Sequence, residues 1–145
     1  MKPLRTLALA LVAGVLAVSA AATPEAEASS PADTLGVYSG PRDISGANAF
    51  GSWLGRPVTE ALDFIDGSTW SSIENPTWFT SGWGGSSYRT DYSVPMFPNG
   101  GGSLATGASG GYNVHFVKLA QNLIANGEAD AIVRPGWEFN GNWFT

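Results

Sequence analysis

The stretch that decides the fold is Ala131-Ile132-Val133 followed by Arg134-Pro135-Gly136-Trp137-Glu138-Phe139-Asn140-Gly141-Asn142-Trp143-Phe144. A short apolar run leads into a polar and aromatic segment that carries one carboxylate, that of Glu138. Enzymes built as α/β barrels present catalytic residues in this way, at the carboxyl end of a strand. The pattern therefore predicts a strand over 131–133 and makes Glu138 a candidate catalytic acid.

Upstream of this stretch, apolar patterning predicts an alternation of strands and helices. The strands are predicted at 35–40, 61–65 and 92–97, and the helices at 47–54, from Asn75-Pro76 to about 84, and at 111–125. The last helix has the clearest apolar face (Tyr112, Phe116, Leu119, Ala120, Leu123, Ile124), and Asn126-Gly127 suits its end. The face of the first helix is predicted to hold Phe50, Trp53 and Leu54, with Gly55 as its terminator.

The resulting order β-α-β-α-β-α-β predicts an α/β fold with a parallel sheet and right-handed crossovers. Four strands of this kind form either an open sheet or the first four βα units of a (β/α)8 TIM barrel, and a partial barrel is the expectation adopted. The sequence has no P-loop and no GxGxxG that opens a helix, which disfavours a nucleotide-binding fold.

The amino terminus is typical of an exported protein. Lys2 and Arg5 precede an apolar run at 7–18, and small residues at 18–22 suit cleavage, so 1–22 is predicted to be a signal peptide. Residues 23–34 contain Ala, Pro, Ser, Thr and acids, which predicts a disordered linker. Residues 35–145 are then the folded domain of a secreted protein, with no membrane association after cleavage.

Composition excludes several classes of protein. There is no cysteine, so a disulfide framework and cysteine-ligated metal are excluded. The formal net charge of −5 is opposite to that of a nucleic-acid footprint, and no His, Asp or Glu cluster has metal-ligand spacing. No cofactor or metal is expected. The six Trp and four Tyr suit a surface on which sugar rings stack, although aromatic residues also fill cores.

Cleavage of a glycosidic bond requires two carboxylates, of which one protonates the leaving oxygen and the other attacks the sugar or activates water. Glu138 is the only acid near the fourth strand tip, since Glu128 and Asp130 lie at the entry of that strand. Partial desolvation between Trp137 and Phe139 would suit a general acid. A loop carboxylate that makes a surface hydrogen bond is the alternative reading.

Other polar residues are expected to be structural. His115 lies on the third predicted helix, away from every strand tip. Asp63 and Asp66 flank the tip of the second strand, where a solvated or loop-capping role is predicted. Arg134 is expected to form an ion pair inside the fold.

The terminal motif resembles the acid/base motif of glycoside hydrolase family 26, in which Arg-Pro precedes the catalytic Glu and Asn-Gly and Trp-Phe follow it. The segment from Gly111-Tyr112 to Gly127 is similar to the third helix of that family, and Leu35-Gly36-Val37-Tyr38 is similar to its first strand. The resemblance implies a (β/α)8 barrel and a secreted, retaining endo-acting hydrolase whose partner is a β-linked polysaccharide.

The resemblance also implies residue roles. Glu138 corresponds to the general acid/base, Trp143 to an aromatic wall near the cleaved sugar, and Asn140 to a polar orienter. The resemblance makes β-mannan the first expected substrate. Trp137, a substrate-site residue, replaces the His that mannanases of the family carry, which keeps xylan or mixed-linkage glucan open as the next. The family's nucleophile is a Glu near the seventh strand, beyond residue 145, and the chain is therefore expected to be an N-terminal half that is inactive alone.

A second class of function remains open. A secreted carbohydrate-binding protein without catalytic activity would use the Trp residues to stack on sugars, and a degenerate barrel could bind without cutting. Carbohydrate-binding modules are usually β-sandwiches, which the predicted helix at 111–125 disfavours. A second carboxylate at a seventh-strand tip would decide for an enzyme.

Overall fold

A computed structural model describes residues 34–138, which form a mixed α/β fold with a four-stranded parallel sheet. The strands are β1 (Gly36–Val37), β2 (Glu60–Phe64), β3 (Arg89–Val94) and β4 (Ile132–Pro135). The helices are α1 (Ile44–Leu54), α2 (Trp70–Glu74), α3 (Thr77–Trp83), α4 (Leu104–Ala108) and α5 (Asn113–Ala125). The predicted signal peptide at 1–22 and all but the last residue of the predicted linker at 23–34 lie outside the described residues. Within the described residues, no helix has the length and apolarity needed to cross a membrane.

The strands lie in the sheet in the order in which they occur in the chain, β1-β2-β3-β4, and every neighbouring pair is parallel. The register sets Asp63 beside Tyr92 on the β2–β3 ladder and Ser93 beside Arg134 on the β3–β4 ladder. Because side chains alternate along a strand, residues paired in register point to the same face of the sheet. The four strands therefore present two continuous and different faces.

The first of these, the helical face, carries the core. One buried cluster joins this face to the helices. Its members from β2, β3 and the residue that follows β2 are Ala61, Ile65, Tyr92 and Val94. The helix members of this cluster are Ile73 of α2, Trp83 of α3, and Leu119 and Leu123 of α5. The crossover helices thus cover one side of the sheet, as successive right-handed connections between neighbouring strands require.

The second face, called here the open face, has no member in that core cluster. It is formed by alternate residues of the three longer strands (Glu60, Leu62, Phe64, Arg89, Asp91, Ser93, Ile132, Arg134). Polar contacts cross it, because an Arg89 Nη1 lies 3.8 Å from Glu60 Oε1 and the Arg134 guanidinium donates to Ser93 Oγ. Within residues 34–138 Arg134 therefore contacts a hydroxyl, and the ion pair predicted from the sequence is not found there.

The predicted first helix is present, but its predicted buried face is wrong. Gly55 ends α1 in the left-handed conformation, with φ 67°, as expected. The buried residue of α1 is Ala47, whereas Trp53 is 79% exposed. The reason is position: α1 flanks β1, an edge strand of the described sheet, so it has a packing neighbour on one side only.

Sequence patterning missed two short helices and misplaced several boundaries, among them the start of α1 and both ends of β3. Helix α2 begins with a capping box in which Thr69 and Ser72 exchange side-chain and backbone hydrogen bonds, and α4 is equally short, so neither shows a helical period. Asn75 ends α2 rather than capping α3, whose N-cap is Pro76. Strand β3 begins at Arg89, three residues before the prediction, because its polar open-face residues hide the start of the strand.

A polar contact joins α2 to α5 on the outside of the core. The His115 ring stacks on Trp70 with centroids 3.7 Å apart, and its Nδ1 lies 2.5 Å from Glu74 Oε1. Asn122 Nδ2 donates to the carbonyl oxygen of Glu74 at 2.7 Å. The hydrogen bond with His115, followed by the nearby Lys118, lowers the pKa of Glu74. The structural role predicted for His115 matches this position.

Glu128 is a buried acid at the amino end of the sheet. It is 6% exposed, and neither of its carboxylate oxygens has a hydrogen-bond partner within the described residues. The Tyr92 hydroxyl on β3 is likewise buried and without a partner there. Burial raises the pKa of Glu128, the nearby Tyr92 hydroxyl partly offsets this rise, and the negative charges of Asp130 and Asp63 add to it. Burial also raises the pKa of Tyr92.

Replacing Glu128 with Gln is expected to stabilise the fold at neutral pH. A carboxyl whose pKa is raised by folding contributes most to stability below its unfolded-state pKa, and loses that contribution as the pH rises through its folded-state pKa. The free energy of unfolding of Glu128→Gln should therefore be higher than that of the wild type at pH 7, by about 1.4 kcal/mol for each unit by which folding raises the pKa. The difference should disappear at about pH 4. Urea unfolding at the two pH values measures the difference.

Glu74→Gln is the matched control, because the pKa of Glu74 is shifted in the other direction. Its contribution is present above the unfolded-state pKa and is lost as the pH falls through the folded-state pKa. Glu74→Gln should be less stable than the wild type at pH 7 and should approach it in acid. A Glu128→Gln protein that is less stable than the wild type at pH 7 would show that ionised Glu128 is stabilising.

Candidate active site at the carboxyl edge of the sheet

The carboxyl ends of the four parallel strands meet at one edge of the sheet, called here the carboxyl edge. Tyr38 follows β1, Phe64 is the last residue of β2, and Trp137 and Glu138 follow β4. Substrate sites of parallel α/β proteins form at this edge, because the loops that leave the strands converge there. The candidate site predicted from the terminal motif is therefore located at the edge where such chemistry occurs.

Three aromatic rings form a row along the carboxyl edge. Tyr38 meets Phe64 edge to face with centroids 5.1 Å apart, and Phe64 meets Trp137 with centroids 5.6 Å apart at an interplanar angle of 68°. Since β3 lies between β2 and β4, the second contact reaches across a strand, at the level where β3 carries the small residue Ser93. Trp137 is half-buried and Tyr38 exposed, so this aromatic row is a wall with an accessible end.

Glu138 stands at the end of this wall with an unusual backbone. Gly136 donates its N–H to the carbonyl oxygen of Val94 at 2.8 Å, so the ladder between β3 and β4 continues to the residue before Trp137. Glu138 then adopts a left-handed conformation with φ 51°, which is uncommon for a residue other than glycine. Strained backbone of this kind occurs often at functional sites, where surrounding structure holds it.

The structure brings together two of the four residues predicted for the site. Trp137 packs against Phe64, and Glu138 is adjacent and exposed to solvent. The enclosure of Glu138 between two aromatic rings, expected from the sequence, involves Phe139, which lies outside the described residues. Asn140 and Trp143 also lie outside them. Tyr38 and Phe64 are the parts of the wall that the sequence did not single out, and their positions directly after β1 and at the end of β2 were the available signal.

Asp63 has the second of the two roles predicted for it. It is fully buried, so the solvated alternative is wrong, whereas the loop-capping alternative agrees with its hydrogen bonds. Its Oδ2 accepts hydrogen bonds from the Arg42 backbone N–H at 2.9 Å and from Trp83 Nε1 at 2.8 Å, and its Oδ1 accepts from the N–H of Phe64. Asp63 thereby ties the loop after β1 and helix α3 to strand β2. Asp66, in contrast, is exposed and caps its loop, with its pKa lowered by hydrogen bonds from Ser68.

Besides a cavity of about 460 Å³ beside α1, two more cavities formed by the described residues lie outside the aromatic row. One, of about 270 Å³, lies between α4, α5 and the ends of β3 and β4 and is mainly apolar, with Met96, Leu104 and Phe116 among its lining residues. The other, of about 350 Å³, lies at the amino end of the sheet beside Glu128. Within residues 34–138, no three His, Cys, Asp or Glu side chains converge in a way that could hold a metal ion.

Comparison of the chain with protein-family models, with curated proteins and with solved structures gave no match. The chemistry of the site is therefore argued from its own residues and from the resemblance of its motif.

Removing the Asp63 carboxylate is expected to destabilise the carboxyl edge strongly. Asp63→Ala leaves the N–H groups of Arg42 and Trp83 buried without an acceptor, and each stranded donor costs about 1–3 kcal/mol. Asp63→Asn keeps one acceptor oxygen and should cost less. Urea unfolding followed by tryptophan fluorescence measures both. Asp66→Asn, in an exposed turn, is the control and should change stability by less than about 0.5 kcal/mol. If Asp63→Ala changed stability as little as Asp66→Asn does, Asp63 would not be the residue that ties the loop after β1 and helix α3 to strand β2.

Proposed function

We propose that residues 35–145 are the N-terminal half of a secreted, retaining, endo-acting glycoside hydrolase that resembles family 26, with Glu138 as general acid/base. The observation that carries this proposal is the position of Glu138. It lies three residues after the end of β4, the fourth described strand of a sequentially ordered parallel sheet, and next to Trp137 in the aromatic row formed by Tyr38, Phe64 and Trp137.

The sheet supports the barrel that this proposal requires. In a (β/α)8 barrel the strands follow chain order, the helices lie outside, and layers of inward side chains come from alternate strands. The described strands follow chain order, the helices cover one face, and the contact between Phe64 and Trp137 joins the alternate strands β2 and β4. Four further βα units would close the sheet and cover the open face.

The proposed mechanism uses two carboxylates on opposite sides of the scissile bond. Glu138 donates a proton to the leaving glycosidic oxygen and later accepts one from the attacking water. The resemblance to family 26 implies that the nucleophile is a Glu near a seventh strand, outside the four strands described. A separation of about 5–5.5 Å between the two carboxyl groups leaves no room for water between them and gives retention of configuration.

The aromatic residues shape the sugar site in this proposal. Trp137 forms part of the wall beside Glu138, Trp143 a second wall near the cleaved sugar, and Asn140 orients a hydroxyl. β-Mannan is the first proposed substrate. Xylan and mixed-linkage glucan follow, because a Trp at position 137 offers one N–H donor and no acceptor, unlike the His of family mannanases.

A non-catalytic carbohydrate-binding role is the second candidate. It is favoured by one observation, namely that Glu138 is exposed in the structure while the ring of Tyr38 at the other end of the row is accessible. A wall of this kind stacks on sugar rings whether or not a bond is cut. A barrel that keeps the wall and lacks the second carboxylate would bind polysaccharide without turnover.

Glu138→Gln in the complete protein is expected to abolish most polysaccharide hydrolysis. Gln keeps the shape of the side chain and removes the transferable proton, a loss that typically costs about 10²–10⁴-fold. Aryl glycosides with good leaving groups need little protonation, so their first step should suffer least. Turnover of mannan, xylan and mixed-linkage glucan by wild type and variant is measured, with proton NMR of the first product to read its anomeric form.

The outcomes separate the two candidate functions. A β-anomer formed first from a β-linked backbone, together with loss of activity in Glu138→Gln, supports the retaining enzyme. Near-normal activity of the variant would show that Glu138 is not the general acid/base. An α-anomer formed first would contradict the retaining mechanism that the resemblance to the family implies. Binding of polysaccharide with no turnover by the wild type would leave the non-catalytic role.

A further inference from the structure

Arg42 is held at the carboxyl edge by its own backbone. It lies in the loop after β1 with φ 57°, a left-handed conformation that is uncommon for a residue other than glycine. The carboxylate of buried Asp63 accepts its backbone N–H at 2.9 Å and so compensates for this strain. The loop therefore has one fixed direction in which the Arg42 side chain leaves the backbone.

The side chain of Arg42 is also fixed along its length. Its guanidinium carbon lies 4.7 Å from the centroid of the Trp78 ring, and Trp78 is 57% exposed. The aliphatic part and Nε run against Gly82 of α3, where a Cβ atom would come within 2.3 Å of Nε. Nε is buried and has no acceptor among residues 34–138, whereas the terminal nitrogens are not among the buried atoms without a partner there. Packing thus orients the guanidinium before any ligand arrives.

The charge of Arg42 has no carboxylate partner within residues 34–138. Arg56 and Arg134 also lack one there, whereas Arg89 and Lys118 pair with Glu60 and Glu74. What distinguishes Arg42 is that its unpaired guanidinium is held against an aromatic ring. A planar guanidinium presents a fork of donors that matches a carboxylate, and stacking on an aromatic ring leaves the edges of that fork accessible. If Arg42 served only to join the loop after β1 to α3, the stacking contact with Trp78 would be sufficient. An unpaired charge at the surface would not be needed for that role.

We propose that Arg42 and Trp78 form a subsite for a carboxylate-bearing sugar unit, such as a uronic acid branch of the polysaccharide. The guanidinium binds the sugar carboxylate and the exposed part of the Trp78 ring packs against the pyranose. The inference rests on the proposed function, because that function brings a polysaccharide to the carboxyl edge. It adds a preference for an acidic substituent, which neither the terminal motif nor its resemblance implies.

The test measures binding in the complete protein by titration calorimetry. The probes are xylo-oligosaccharides of equal length with and without a glucuronic acid branch. The wild type is expected to bind the branched probe about tenfold more tightly, which equals about 1.4 kcal/mol, and the preference should weaken as salt is added. Arg42→Gln should bind both probes equally, Arg42→Lys should keep part of the preference, and the exposed Arg56→Gln should match the wild type.

Equal binding of the two probes by the wild type would overturn the proposal, and so would a preference that survives in Arg42→Gln. If Arg42→Gln fails to fold, the salt dependence of the wild type decides, since a preference that salt does not weaken would contradict a charge-based subsite. Hydrolysis of neutral polysaccharides is measured in parallel. If neutral substrates are hydrolysed and the branched probe is not preferred, the subsite proposal alone is contradicted. If the branched probe is preferred and no substrate is hydrolysed, the hydrolase proposal alone is contradicted.

Discussion

The constraint on which the structure depends is the sequential order of its parallel strands. Neighbouring strands joined by right-handed crossovers place every connecting helix on the same side, and the buried cluster around Tyr92 and Trp83 lies there. The open face is left with charged and apolar residues side by side, among them the Asp91 Oδ1, which is buried without a partner within the described residues. Parallel sheets are ordinarily covered on both faces, so this one calls for a second covering layer.

The same constraint locates the chemistry. Parallel strands bring all four carboxyl ends to one edge, and both non-glycine residues with positive φ in the described chain, Arg42 and Glu138, lie there. Each stands beside an aromatic contact, Arg42 on Trp78 and Glu138 next to the ring of Trp137. Strain concentrated at one edge of a sheet is typical of a binding site whose geometry is fixed by the scaffold beneath it. Asp63 supplies part of that scaffold, because it links the loop after β1 to α3.

The sequence predicted the parts of this fold that local pattern determines. The long apolar stripe of α5, the terminator Gly55 and the apolar run of β4 each carry their own signal, and the α/β order followed from them. Helices α2 and α4 have five residues each, too few to show a period, so they were missed. The burial of Asp63 and the contact between Phe64 and Trp137 depend on residues far apart in the chain, which no local pattern reveals.

The central claim is that the open face must be covered by further strands for these residues to fold cooperatively. Scanning calorimetry of residues 23–145 produced alone tests it most directly, because within the described residues the open face contributes nothing to the core cluster and β1 and β4 are edge strands. The account predicts a broad, weak heat absorption with no cooperative transition. A single sharp transition whose calorimetric and van't Hoff enthalpies agree would show a complete domain and contradict the half-barrel.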